Sequence, residues 1–258
     1  MFTEEILEII SKNKNKIYIC DHNGTRNTTY FEFEETAFRI ANELKTSSPK
    51  CGEFVVIYMP NCMEYYASIF ACWLLNLVPV PTGETFPKER IDYIVSETKA
   101  KIIIDMNFCK NATDNSQIEI VTPKLDDNAF LLYTSGSTGK PKGVIITYAD
   151  YDMKLKQDFI PKEDSINIVF GNTAPPYFIA SIKVWGVALS EGIIHLLDMS
   201  VVKSSRLMSD YIEKHKITMC YMSPAVLKSF HNKSDSLKVI IAIGEKLTTQ
   251  YSKEGYTL

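Results

Sequence analysis

Residues 133–144 read YTSGSTGKPKGV. Glycines stand at 136, 139 and 143, small hydroxyls at 134, 135, 137 and 138, and lysines at 140 and 142. The stretch follows the apolar run AFLL (129–132) and leads into VIITY (144–148), so it reads as a loop between two strands. Glycine lets a backbone approach a ligand closely. Successive amide N–H groups in such a turn form a concave anion site. Ser and Thr add donors, and lysine adds charge without fixed geometry. A polyphosphate is the ligand this composition suits. A plain surface hairpin is the competing reading. The standard phosphate-loop classes fail on spacing. A Walker A loop starting at Gly136 would need Gly where Pro141 stands, the spacing G-x-G-x-x-G is absent, and so is G-x-S-x-G.

Outward from the loop, helical and β-rich stretches alternate. A short amphipathic helix is expected over 3–11, then a strand at KIYIC (16–20). In TTYFEFEETAFRIANELK (28–45), Thr29 and Glu32 form a T-x-x-E capping box. Tyr30, Phe33, Ala37, Ala41 and Leu44 mark one buried helical face. EFVVIYM (53–59) reads as a buried strand, followed by a helix over 62–76 that Asn61 and Glu64 are placed to cap. VPVP and KIIID (101–105) read as strands around a helix at 87–98. Residues 106–128 are polar and irregular, with one candidate strand at IEIV (118–121) and a candidate subdomain seam. Further on come strands at INIVF, IIHLL, ITMCYM and LKVIIAI, with helices at 178–190, at 204–215 and after Ser223-Pro224. This alternation argues for an α/β fold with largely parallel sheets.

Composition narrows the function classes. The 258 residues are 45% hydrophobic and 23% charged, with net charge −3, a globular composition without the basic face of a nucleic-acid binder. The six cysteines form no C-x-x-C and the four histidines are scattered, which reads as reduced thiols and argues against a metal site. The N-terminus, MFTEEILEIISKNKNK, is acidic before it is basic, the wrong order for a signal peptide. The longest apolar stretch, 67–81, contains Asn76 and two prolines and cannot span a bilayer as one helix. The expectation is a cytoplasmic protein with no nucleic-acid or membrane partner.

LLYTSGSTGKPKGV (131–144) resembles the signature loop of the adenylate-forming superfamily: acyl-CoA synthetases, luciferases and nonribosomal peptide synthetase adenylation domains. TTYFEFEETAFRIANELK, CWLLNLVPVP (72–81), ITMCYMSPAVLKSF (217–230) and LKVIIAIGEKL (237–247) resemble further motifs of that family, in the same order. The resemblance implies stacked, largely parallel sheets flanked by helices, as in the first part of the family's large N-terminal domain. It also implies that residues 1–258 are a partial AMP-binding domain, with the C-terminal lid domain lying beyond them. The implied reaction has two steps. A carboxylic acid attacks ATP to give an acyl-adenylate and pyrophosphate, and a thiol of CoA or of a carrier protein's phosphopantetheine then takes the acyl group. By resemblance, Thr134, Ser135, Gly136, Ser137, Thr138, Gly139 and Lys142 cradle the phosphates, with Gly244 and Glu245 also on the nucleotide, and Lys140 faces solvent. Tyr148, Phe178, Ile179, Ala180, Lys183, Ile241 and Ile243 fall on the acyl side.

Two departures from the family pattern matter. Amino-acid-activating members carry F-D-x-S where this chain has Phe178-Ile179-Ala180-Ser181. Ile179 cannot pair an α-ammonium, and a buried unpaired ammonium is costly, so a simple carboxylic acid is the expected substrate. The family's Tyr-Gly-x-Thr-Glu motif, whose Glu holds magnesium, and its catalytic lysine do not occur in these residues. The implied cofactors are therefore ATP and magnesium, the latter without its usual ligand here. Two readings stay open: a ligase fragment completed by another chain, and a non-catalytic nucleotide- or partner-binding module. Either way, an exposed strand edge is expected near LKVIIAI.

Overall fold

A computed structural model describes residues 1–134, 141–158, 167–181, 184–231, 233–242 and 244. Two sheets and a hairpin carry the strands. The larger sheet has six strands: β1 (Ile17–Asp21), β2 (Arg26–Thr29), β8 (Val169–Asn172), β9 (Ile193–Leu196), β10 (Met219–Met222) and β11 (Val239–Ala242), in the order β11-β10-β8-β9-β1-β2. All neighbours are parallel except β2, which returns antiparallel on β1. The smaller sheet is parallel, β4-β3-β5, built from β3 (Phe54–Met59), β4 (Val78–Gly83) and β5 (Ile102–Ile104). The hairpin joins β6 (Asn128–Thr134) to β7 (Lys142–Thr147).

The helices between the sheets follow from water exclusion. In α3 (Met63–Leu74), every residue but Glu64 is buried, the mark of a helix covered on all sides. It touches β1 in one sheet and β3 and β4 in the other, with α1 (Phe2–Lys12) and α2 (Tyr30–Thr46) packed beside it. Trp73 on α3 is the hub. Its ring lies 4.8 Å from Trp185 of α7 (Val184–Leu189), 4.9 Å from Phe2 and 5.0 Å from Phe130 of β6. Its indole N–H donates to the Ala129 carbonyl at 2.8 Å, tying the hairpin's inner strand to the core.

Local expectations hold where the signal is local. Thr29 caps α2: its Oγ1 accepts from the Glu32 N–H at 3.2 Å while the Glu32 carboxylate accepts from the Thr29 N–H at 2.7 Å. Tyr30, Phe33, Ala37, Ala41 and Leu44 are all buried. The six cysteines are free. β11 is an edge strand among the described residues.

Four expectations are corrected. The cap of α3 comes from neither Asn61 nor Glu64. The buried Asp21 carboxylate at the end of β1 accepts from the Met63 N–H at 3.1 Å. Asn61 instead accepts from Tyr66, and Glu64 pairs with Arg26 at 2.8 Å. Residues 106–111 are helical (α5, Met106–Asn111), because Asp105 caps them by accepting from the Phe108 N–H at 2.7 Å. No strand forms at 118–121; that stretch is held by a bond from the Val121 N–H to Leu74. In the stretch where a helix over 178–190 was expected, residues 178–180 form a bend and turn, and the helix among the described residues is α7, Val184–Leu189.

Candidate functional site

In the sequence, the glycine-rich segment connects β6 to β7. Thr134 and Lys142 are directly opposed cross-strand partners, and the Thr134 hydroxyl reaches the Lys142 carbonyl at 3.4 Å. Both residues are exposed. Lys142 makes no ion pair among the described residues, so its ammonium is available to an anion. Below the tip, Leu131 and Tyr133 pack with Val56, Val78, Val80 and Ile94, anchoring β6 to the smaller sheet. Ser135, Gly136, Ser137, Thr138 and Gly139 lie outside the described residues, as do Lys140, Lys183, Ile243 and Glu245.

A cavity of about 360 Å³ opens where strands of both sheets end. From the smaller sheet come Met59 at the end of β3 with Pro60 and Asn61 after it, and Gly83 at the end of β4 with Glu84 and Thr85 after it. From the larger come His22 after β1, Thr173–Tyr177 after β8, and Leu197–Met199 after β9. Parallel α/β sheets bind ligands at the carboxyl ends of their strands, and here five such ends converge.

A buried hydrogen-bonded chain crosses beneath this cavity from sheet to sheet. The Asn172 side-chain amide donates to the Tyr66 hydroxyl at 3.2 Å, and that hydroxyl donates to Asn61 Oδ1 at 3.2 Å. Burial pushes the Tyr66 phenol well above its ordinary range, so it stays a neutral donor. On the β1 side, His22, Asn23 and Gly24 all have positive φ (48°, 56° and 74°). Gly24 is required there: a Cβ would stand 2.7 Å from the His215 ring and 2.9 Å from the Tyr211 hydroxyl. The turn brings Asn23 Oδ1 to the Asp198 N–H at 3.4 Å and leaves His22 on the cavity wall.

The residues assigned to the acyl side are scattered more widely than one pocket. Phe178 and Ile179 are exposed at 54% and 45%, and Ala180 is half-buried against the core. They continue directly from Tyr177 of the cavity wall. Ile241 is half-buried on β11, and Gly244 is exposed with φ +99°. Tyr148 is fully buried, stacked on Phe2 at 5.5 Å, and does not line the cavity. The cavity residues His22, Asn61, Gly83 and Tyr177 carry no motif of their own. The signal that finds them is their position just past a strand's carboxyl end.

The family model for AMP-binding enzymes matches residues 8–254. The chain belongs to the AMP-binding enzyme family. Among relatives of this AMP-binding chain, the malpibaldin synthetase of Mortierella alpina is 26% identical over 269 residues, covering 90% of this chain and 5% of the synthetase. The acetyl-coenzyme A synthetase of Vibrio cholerae is 26% identical over 299 residues, covering 89% of this chain and 45% of that enzyme. The chain therefore spans less than half the length of either relative. The fold is shared with the N-terminal subdomain of Klebsiella oxytoca NpsA, solved in complex with 3-hydroxyanthranilyl-AMSN, at TM-score 0.79 and 22% identity over 94% of this chain and 66% of that one. It is also shared with the luciferase-like enzyme of the mealworm Zophobas morio, at TM-score 0.80 and 17% identity over 96% of this chain and 67% of that one. Among the described residues no helix is long and apolar enough to cross a membrane.

Proposed function

We propose that this AMP-binding chain supplies the triphosphate cradle and one wall of the acyl pocket of an adenylate-forming ligase. The observation that carries the reading is the family match across the glycine-rich hairpin, whose base opposes an exposed threonine to an exposed, unpaired lysine. In the proposed reaction a carboxylate oxygen attacks the α-phosphorus of ATP. The bond to the bridging oxygen breaks, and pyrophosphate leaves with its electron pair. The thiol sulfur of CoA or of a carrier protein then attacks the acyl carbonyl, the acyl C–O bond to the phosphate breaks, AMP leaves with that electron pair, and the thiol proton passes to solvent. Loop amides, hydroxyls and Lys142 would meet the charge that accumulates on the departing pyrophosphate, in a phosphoryl transfer that needs positioning and electrostatics above all.

The donor set fits a polyphosphate. Magnesium in such sites is held by one or two carboxylates together with the substrate's phosphates. Among the described residues no group of three His, Cys, Asp or Glu side chains stands together, and Glu245 lies outside them. A simple carboxylic acid suits the site better than an α-amino acid, because no carboxylate stands at 178–181 to pair an ammonium. Glu84 and Asp198 border the cavity but are exposed, where water screens their attraction for a cation. The remaining parts of the reaction, including the closing lysine, belong to a complementing chain or to further sequence.

Pyrophosphate exchange driven by a panel of aryl, aliphatic and α-amino acids tests the reading, with ATP titrated in parallel by calorimetry. Lys142→Ala is expected to weaken ATP binding about tenfold or more, as loss of a charge-assisted contact does. Its melting temperature should stay unchanged because the side chain is exposed. ATP binding equal to that of the unmodified chain would remove the cradle from the reading.

A further inference from the structure

A column of side chains links the smaller sheet to the turn that carries Phe178–Ala180. Its base is the backbone at 82–84. The Tyr65 hydroxyl donates to the Thr82 carbonyl at 2.8 Å, the Tyr58 hydroxyl donates to the Glu84 carbonyl at 3.1 Å, and the Thr82 hydroxyl donates to Ile57 at 2.7 Å. On this pinned backbone lies the Tyr177 ring. It sits so close that a Cβ at Gly83 would stand 2.3 Å from Tyr177 Cε1, a separation real Cβ atoms do not show. The Phe86 ring meets Tyr177 edge-on at 4.6 Å, and the Phe86 N–H is held by the Gly83 carbonyl at 2.9 Å. Arg90, in the first turn of α4 (Lys88–Thr98), places its guanidinium 3.8 Å from the centre of the Phe86 ring. Its Nε is buried with no hydrogen-bond partner among the described residues, and it forms no ion pair among them. The π contact is thus what the structure offers this charge.

We propose that Arg90, Phe86 and Tyr177 form a brace that fixes the 175–181 turn, and that they are positioning residues for the acyl-binding wall. The assignment rests on the ligase reading above. The turn itself has two backbone bonds, Phe178 N–H to Pro175 and Ser181 N–H to Phe178, at 3.0 and 2.9 Å. Phe178 and Ile179 are exposed and cannot hold it by burial. The brace instead grips the residue just before them. Gly83 belongs to it as well, since only a residue without Cβ lets the Tyr177 ring rest on the strand end.

Two measurements on the same variants test the brace. Hydrogen exchange followed by mass spectrometry reads the turn without any need for catalysis. In Arg90→Gln and Phe86→Leu, the amides of 177–181 should exchange about tenfold faster while those of β3 keep their protection. Arg90→Lys, which keeps a cation over the ring, should restore most of the protection. Acid-dependent pyrophosphate exchange then reads function: the same variants, and Gly83→Ala, should raise KM for the acid at least several-fold and leave KM for ATP unchanged. Unaltered exchange at 177–181 in both variants overturns the brace. So does an equal rise of both KM values, which would mark a general structural defect. If the unmodified chain binds no ATP, the ligase reading fails, and the hydrogen-exchange result still decides whether Arg90 and Phe86 hold the turn.

Discussion

Helix α3 and strand β7 stand at opposite extremes of the same fold. Eleven of the twelve residues of α3 are buried, while four consecutive residues of β7, Lys142 to Ile145, face solvent. In an edge strand covered on one face, exposure alternates; here both faces of the outer half are open. Val144 and Ile145 remain 47% and 42% exposed despite being apolar. The helix is thus specified by exclusion of water from both sides. The outer half of β7 is specified by its register with β6, which sets Lys142 against Thr134 at the base of the loop. The core can tolerate few changes, and the hairpin's outer half keeps its side chains in solvent. Trp73 is where the two regions meet, through its bond to Ala129 on β6.

The largest expected effect breaks that junction. Trp73→Ala should destabilise the chain by about 3–5 kcal/mol in urea denaturation, the range for truncating a buried aromatic hub. It removes ring contacts to Phe2, Phe70, Phe130 and Trp185 together with the bond to Ala129. A loss under about 1 kcal/mol would mean that the two regions are not coupled through this residue.

A smaller effect separates buried from exposed groups by pH. His195 on β9 is buried against Tyr211 and His215, and burial first, then the His215 charge, lowers its pKa from 6.5 to about 4. The native state therefore binds fewer protons than the unfolded state between those values. Stability should fall as pH drops from about 6.5 towards 4, with His195 contributing at most about 1.4 kcal/mol per pH unit. His195→Gln should flatten that part of the curve; an unchanged slope would show that His195 is not the group responsible. The smallest effect belongs to the hairpin: Val144→Thr should change stability by less than about 0.5 kcal/mol. A larger loss would reveal a covering contact on the outer face of β7.

What the amino-acid order determined by itself is whatever neighbouring residues decide together. The Thr29–Glu32 cap, the buried stripe of α2, the largely apolar α3, the parallel strands and the glycine-rich stretch between two strands all rest on spacings of a few residues. Periodicity and capping act over that range, and the family motifs are also contiguous stretches. Only the tertiary structure decided where the cap of α3 comes from, because Asp21 reaches Met63 across 42 positions of chain. It likewise decided that Tyr148 is a core residue stacked on Phe2 and that residues 178–180 turn where the start of a helix was expected. The cavity has the same origin. His22, Asn61, Gly83, Thr173 and Leu197 share no sequence pattern, and they meet because five parallel strands of two sheets end in one place. Strand pairing and inter-sheet packing bring together residues that no local spacing relates, so the site's walls become legible only once the sheets are assembled.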